Sequence, residues 1–389
     1  MGVYVTPQSE IDKYFESECL GQSTLKPLKD GLDKFLNNQK EEKELYYEEK
    51  GSLIIGSAVD CILTGEEGKF DDIYYTSDIE KKPSDAEMSI INMVFDEMLE
   101  EYPEGPYLTL DKYPGLVERS VDFHGWQKNW KLETRIQKMT DAGLEYFEDL
   151  KLAIGKQVID KTQLFTINNI VSSLRENPLT KSYFDREVYQ NDPLIDVYYQ
   201  LPIYFEYRGI ACKALLDILF VFKDVDDKIL SLMPVDLKTT FTSTLQFTSF
   251  KTYRYDIQAA WYTQALRSPS STINNIVGDN SNIQVSNFRF VVESTVSQGS
   301  PLVYEVTDEV LHIGKYGRPA INTVDLNILF STEEVYQPIP IVKEVKGFDT
   351  LITDYLYYQE TEWGEDKLLA NSNGVLQLGW EGIIGQNAD

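Results

Sequence analysis

Asp236 and Lys238 stand two residues apart in the run Pro-Val-Asp-Leu-Lys-Thr-Thr at 234–240. On a strand, that spacing puts the carboxylate and the ammonium on one face, while Val235 and Leu237 point to the other. A carboxylate can hold a divalent cation and an ammonium can orient or activate water, and together these are parts of a site that hydrolyses phosphodiesters. The same spacing also occurs as a solvated or self-paired charge duo at a strand edge. The run before it, Ala-Cys-Lys-Ala-Leu-Leu-Asp-Ile-Leu-Phe-Val-Phe at 211–222, is apolar on both faces and predicts an interior strand with Asp217 in its middle. A carboxylate placed there needs a partner. Backbone amides or Lys213 could supply it. Alternatively, the strand of Asp236 lies alongside, reached through the polar turn at 223–228, and the two carboxylates share one metal.

The next segment adds a third element. Tyr-Asp-Ile-Gln-Ala-Ala-Trp-Tyr-Thr-Gln-Ala-Leu at 255–266 consists of helix formers, with Ile257, Trp261 and Ala265 on one stripe and Gln258 and Tyr262 four apart on another. That amide and phenol either decorate a surface face or reach toward a bound phosphate and the lysine. Asp, then Asp-x-Lys, then Gln-x-x-x-Tyr, on strand, strand and helix, is a rarer coincidence than any one of them.

In this order Asp217, Asp236-Leu-Lys238 and Gln258-x-x-x-Tyr262 resemble the successive motifs of the PD-(D/E)xK nuclease superfamily, in its RecB-like branch. Within that branch the chain resembles phage and prophage exodeoxyribonuclease VIII (RecE-type) nuclease domains. Gln22-Ser23-Thr24-Leu25-Lys26, Ile55-Gly56-Ser57-Ala58-Val59, Ile154-Gly155-Lys156, Gly209-Ile210-Ala211-Cys212-Lys213 and Phe290-Val291-Val292-Glu293 carry the likeness further. The resemblance covers about residues 20–65 and 150–305 at the level of pattern.

The resemblance implies a three-layer, restriction-endonuclease-like α/β core with a mixed central sheet, elaborated by N-terminal helices. It implies Asp217 and Asp236 as metal ligands, Lys238 as the catalytic lysine, Gln258 and Tyr262 as supports, and Mg²⁺ or Mn²⁺ as cofactor. The activity it implies is 5′-to-3′ exonucleolytic hydrolysis of linear double-stranded DNA in phage recombination, beside a single-strand annealing protein and with a ring oligomer as an option. The chain departs from the family pattern twice: Asp60 stands where the family usually has His, and Gln200 stands near a usual Glu. Asp60 remains a credible oxygen ligand for Mg²⁺. Other readings are an endonuclease or single-strand nuclease on the same core, or a catalytically silent nuclease fold whose acidic surface binds a basic partner.

The 389 residues carry 36 basic and 63 acidic side chains, a net charge of −27 that weighs against a nucleic-acid substrate. Its distribution softens the objection, because residues 208–267 hold eight Lys or Arg and six Asp. Within that stretch Arg208, Lys213, Lys251 and Arg254 are candidate DNA contacts, each of which also reads as an ordinary surface charge. The lack of a long apolar run and of an export signal points to the cytoplasm, that of a host cell if the chain is phage-encoded, with no membrane partner. Cys19, Cys61 and Cys212 form no disulfide framework, and His124 and His312 are too isolated for histidine-based chemistry.

Three regions are expected to position these residues: a helical region at 1–190 contributing Asp60, the nuclease core at 191–310, and an extension at 311–389 with no assigned role. Within the first, helices at 20–65 flank the acidic stretch Glu41–Lys50. An amphipathic helix covers 85–102 with Ile91, Val94, Phe95, Met98 and Tyr102 inward, and further helices run to about 182. Gly314-Lys315-Tyr316-Gly317 reads as a turn.

Overall fold

The computed structural model describes residues 2–32, 34–36, 51–79, 82–319, 345–360, 378–379 and 382–383. The acidic stretch at 41–50 and most of the C-terminal extension, including Trp363 and Trp380, lie outside the described residues. The chain divides into two compact units, one of Met1–Tyr46, Asp185–Val292 and Leu302–Asp389, the other of Tyr47–Phe184 and Glu293–Pro301. Among the described residues no helix is long and apolar enough to cross a membrane.

The first unit is built on one mixed sheet of β1 (Val3–Val5), β2 (Leu20–Gly21), β3 (Ile195–Tyr207), β4 (Ile210–Lys223), β5 (Ile229–Thr240), β6 (Gln284–Val285), β7 (Arg289–Ser294) and β8 (Leu302–Glu305). The order is β1-β3-β4-β5-β7-β8, with β2 on β4 and β6 on β5. The β3–β4, β4–β5 and β7–β8 pairs are antiparallel, whereas β1, β2 and β6 join in parallel. Helices flank this sheet, giving the expected three-layer α/β core.

Local chemistry sets the central hairpins. Arg208 and Gly209 both take the left-handed conformation, at φ 52° and 79°, which makes the two-residue turn between β3 and β4 follow the twist of its strands. Between β4 and β5, Asp224 Oδ1 accepts the amide protons of Asp226 and Lys228 at 2.9 Å each, so one carboxylate closes the turn. Alternation along β4 buries Cys212, Ala214 and Leu216 on one face, and Lys213 and Asp217 belong to the half-open face between them.

The helix Tyr255–Arg267 is buried nearly all round, with Ile257, Trp261 and Ala265 at 0% exposure and Trp261 Nε1 donating to the Lys213 carbonyl at 2.9 Å. Its outer side packs against the helix Asp308–Tyr316 at Gly314, where a Cβ would come within 2.1 Å of the Asp256 carbonyl oxygen. Residues 314–316 are therefore the last turn of a helix and not the expected turn. The need for close backbone approach explains the glycine.

In the second unit the helices Asp85–Glu101, Pro114–Phe123 and Leu132–Leu152 share one apolar cluster containing Ile91, Val94, Phe95 and Met98. Tyr102 was expected inward but is 46% exposed, because the helix ends there and its backbone turns away at φ −132°. Two short strands escaped sequence reading: Tyr74–Ser77 and Gln157–Asp160 pair in parallel, and four residues are too few to show a period.

Candidate active site

The antiparallel register of β4 and β5 sets Ile218 opposite Val235, so Asp217 and Asp236 form the next pair out, on one face. The Asp217 carboxylate crosses to the neighbouring strand and accepts the Leu237 amide at 2.8 Å. Asp236 is buried, and its two oxygens have different partners. Gln258 Nε2 donates to Oδ1 at 2.6 Å, and the Lys238 ammonium forms a close ion pair with Oδ2. That second contact is an ion pair without a well-directed hydrogen bond, leaving Oδ2 with unused acceptor capacity.

The structure thus brings five of the expected residues together. Gln258 and Tyr262, which could have lain on a surface face, are 5% and 7% exposed and point into the fold. Burial, then the neighbouring Tyr14, Asp236 and Asp217, push the Tyr262 phenol well above its ordinary value, so it stays protonated. Burial works against the Lys238 charge, but Asp236 and Asp217, with Tyr255, outweigh it and hold the ammonium above its usual range.

Three residues around this cluster were not named as site residues by the sequence. Tyr255, at the start of the motif helix, lies under the Lys238 ammonium, 5.1 Å from nitrogen to ring centre. Lys26 approaches the same ring at 5.6 Å, and burial together with Lys238 pushes its amine down to about 7. Gln200, noted only as a departure from the family pattern, faces Asp217: the β3–β4 register runs unbroken on both sides of these two residues. Gln200 has φ 53°, a left-handed conformation unusual inside a strand, and is buried. The signal for Lys26 was present in Gln22-Ser-Thr-Leu-Lys, but nothing in its spacing tied it to residues more than two hundred positions away.

The other candidates have the following surroundings. Three of the four expected DNA contacts spend donors inside the protein. Arg208 reaches Thr353 Oγ1 at 2.8 Å and the Asp349 carboxylate, and Lys213 Nζ donates to the Tyr14 and Ser17 carbonyls at 2.7 Å each. Arg254 grips both oxygens of Asp256 at 2.9 and 2.8 Å and the Lys346 carbonyl at 2.8 Å. Lys251 is exposed. Asp60 lies in the other unit, on the helix Gly51–Thr64, where its carboxylate accepts the Thr64 hydroxyl at 2.7 Å.

Among the described residues no three His, Cys, Asp or Glu side chains are grouped as a cation cage. Mg²⁺ does not require one, since it is commonly held by one or two carboxylates, with water and substrate phosphate completing its shell. Asp217 and Asp236 fit that demand: they are an oxygen-only pair on one face, and one of them carries a buried oxygen with spare capacity.

No family model and no curated protein matches the chain. A solved structure from Eubacterium rectale, described as a "putative exonuclease", is similar over 80% of this chain and 81% of that one, at 14% identity and a TM-score of 0.38.

Proposed function

We propose that the protein is a metal-dependent deoxyribonuclease whose site is Asp217, Asp236, Lys238, Gln258 and Tyr262. The observation that carries this reading is the convergence of a carboxylate from β4, a carboxylate and ammonium from β5 and an amide from the motif helix on one point, with the amide bonded to Asp236. A fold kept for binding alone has no need of a buried carboxylate beside a second one, because a buried charge costs several kcal/mol unless it is compensated.

Asp217 and Asp236 would hold Mg²⁺ or Mn²⁺, which would supply a Lewis acid for the phosphoryl oxygen and a more acidic bound water. Gln258 keeps the Asp236 carboxylate in one orientation, and the Leu237 amide does the same for Asp217. Lys238 orients the attacking water and stabilises the negative charge growing on the phosphoryl oxygens. Water oxygen bonds to phosphorus, the phosphorus–ester oxygen bond breaks, and the proton lost by water passes to solvent as the leaving oxygen gains one.

The finer reading is a 5′-to-3′ exonuclease on linear duplex DNA, acting beside a single-strand annealing protein; it rests on the motif resemblance. End-labelled linear duplex and covalently closed circles, incubated with the protein and Mg²⁺ or Mn²⁺, test it. Linear duplex should be degraded from its 5′ ends and circles spared. Cutting of circles would make the protein an endonuclease, and cutting of neither would leave a nuclease fold without catalysis.

A further inference from the structure

Beside the Asp236–Lys238 pair stands a second ammonium for which the chemistry just described has no use. Lys26 lies at the junction of the helix Gln22–Leu25 and the tighter turn Lys26–Asp30. Its neighbours Lys29 and Lys34 both pair with Asp30, at 2.8 and 3.0 Å. Lys26 points the other way, to the Tyr255 ring that also carries Lys238. Among the described residues it makes no hydrogen bond and no ion pair.

The acids near enough to influence it are Asp236 and Asp256, and both are engaged, the first by Lys238 and Gln258, the second by both arms of Arg254. Protein crowds the Lys26 nitrogen, yet no anion is assigned to it. An ammonium in such a place is unfavourable, and an aromatic face compensates only in part. Its proximity to Lys238 adds repulsion, which an anion held by both would relieve. The anion that enters a phosphodiesterase site is the substrate, and lysine is a common point-charge ligand for phosphate.

We infer that Lys26 is the substrate-holding cation of this site, donating to a non-bridging oxygen of the phosphodiester on which Asp217, Asp236 and Lys238 act. The assignment rests on the nuclease reading. It gives the N-terminal segment a direct role in binding substrate, in addition to its strands in the sheet.

The test compares wild type, Lys26→Met, which keeps an apolar stem against Tyr255, and Lys26→Arg, which keeps the charge. Binding to a short duplex is measured in Ca²⁺, with the terminal linkages either phosphodiester or neutral methylphosphonate, and kcat and KM are measured in Mg²⁺. Lys26→Met should lose roughly 10- to 100-fold in kcat/KM, the scale of one charge-assisted hydrogen bond, and Lys26→Arg should retain most of it. Wild type should prefer the phosphodiester duplex, and Lys26→Met should lose roughly 10- to 100-fold of that preference. If wild type cuts DNA and Lys26→Met keeps both its kcat/KM and its preference, the Lys26 assignment falls and the nuclease reading stands. If wild type neither binds nor cuts, both fall. Melting temperature guards against misfolding, since removing a poorly solvated charge should not lower it.

Discussion

Replacing Lys238 with Met should be among the most destabilising single changes in the sheet when no metal is present, and among those best repaired by metal. The substitution keeps the unbranched stem and removes the charge, so the packing loss is small and the electrostatic loss dominates. Asp236 is 1% exposed and would keep only the Gln258 hydrogen bond, with Asp217 directly across the strands. Breaking a buried ion pair by removing one partner costs about 3–5 kcal/mol, which for a domain of roughly 150–250 residues lowers Tm by roughly 6–20 °C. The loss of Lys238 from the Tyr255 ring adds about 1 kcal/mol.

A divalent cation between the two carboxylates would stand in for the missing charge. At a hundredfold excess over Kd it returns about 2.7 kcal/mol, so Mg²⁺ or Mn²⁺ should raise the Tm of Lys238→Met by several degrees. Adding Asp236→Asn to Lys238→Met should recover part of the loss without metal, because the unpaired charge is then gone. The Lys238 amine is held above its ordinary value of 10.5, so the pair's contribution is fully present below that pH and is lost only as pH rises through the higher folded value. The pair itself therefore adds no pH dependence to the Tm penalty below 10.5; what dependence there is comes from Lys26, whose amine Lys238 helps to push down to about 7. Differential scanning calorimetry of wild type, Lys238→Met and the double variant, in EDTA and in Mg²⁺ or Mn²⁺, measures all of this. A Lys238→Met protein that melts with wild type in EDTA, or that gains nothing from either metal, would refute the buried-pair and shared-cation reasoning respectively.

Gln258→Leu strands Asp236 Oδ1 without its donor and should cost about 1–3 kcal/mol together with a drop in turnover; unchanged melting and cleavage would show the amide to be incidental. Gln200→Glu places a third carboxylate opposite Asp217, so it should lower Tm in EDTA and enlarge the Tm gain on adding Mg²⁺ or Mn²⁺, and an unchanged gain would disconnect Gln200 from the site. Lys26 has a folded value near 7 against an ordinary 10.5, so wild-type stability falls as pH drops through that window, where the unfolded chain binds a proton that the folded one does not. The Tm advantage of Lys26→Met over wild type should therefore grow from pH 10 toward pH 7, and an advantage independent of pH would mean that Lys26 is not enclosed.

What the sequence made legible were the features with a short repeat length. The continuous apolar run of β4, the Asp-x-Lys spacing of β5 and the stripe Ile257, Trp261, Ala265 predicted their elements closely, and the three motifs they carry meet in space. What it left ambiguous depended on partners distant in the chain. Gln258 and Tyr262 look like a polar surface stripe until the helix is seen buried nearly all round, and Arg208 and Arg254 look like free cations until Asp349, Thr353 and Asp256 are found against them. Gln200 is the clearest case: no local signal announces a left-handed residue in the middle of an alternating strand, since the strain is imposed by the sheet around it.

The charge balance of the site bears on the difficulty posed by a −27 chain. The cluster itself carries little net charge, two carboxylates against the Lys238 ammonium and a Lys26 amine pushed down to about 7, so an incoming phosphodiester meets no strong local field of either sign. The remaining acids act mainly at longer range, and salt at physiological strength screens exposed charges beyond about 8 Å. A divalent cation on Asp217 and Asp236 would make this small region positive and attractive to DNA at the point where the bond is cut. Such a surface discourages nonspecific binding elsewhere and concentrates affinity at the loaded site. An acidic nuclease of this design would therefore depend on its metal for holding substrate as well as for cleaving it.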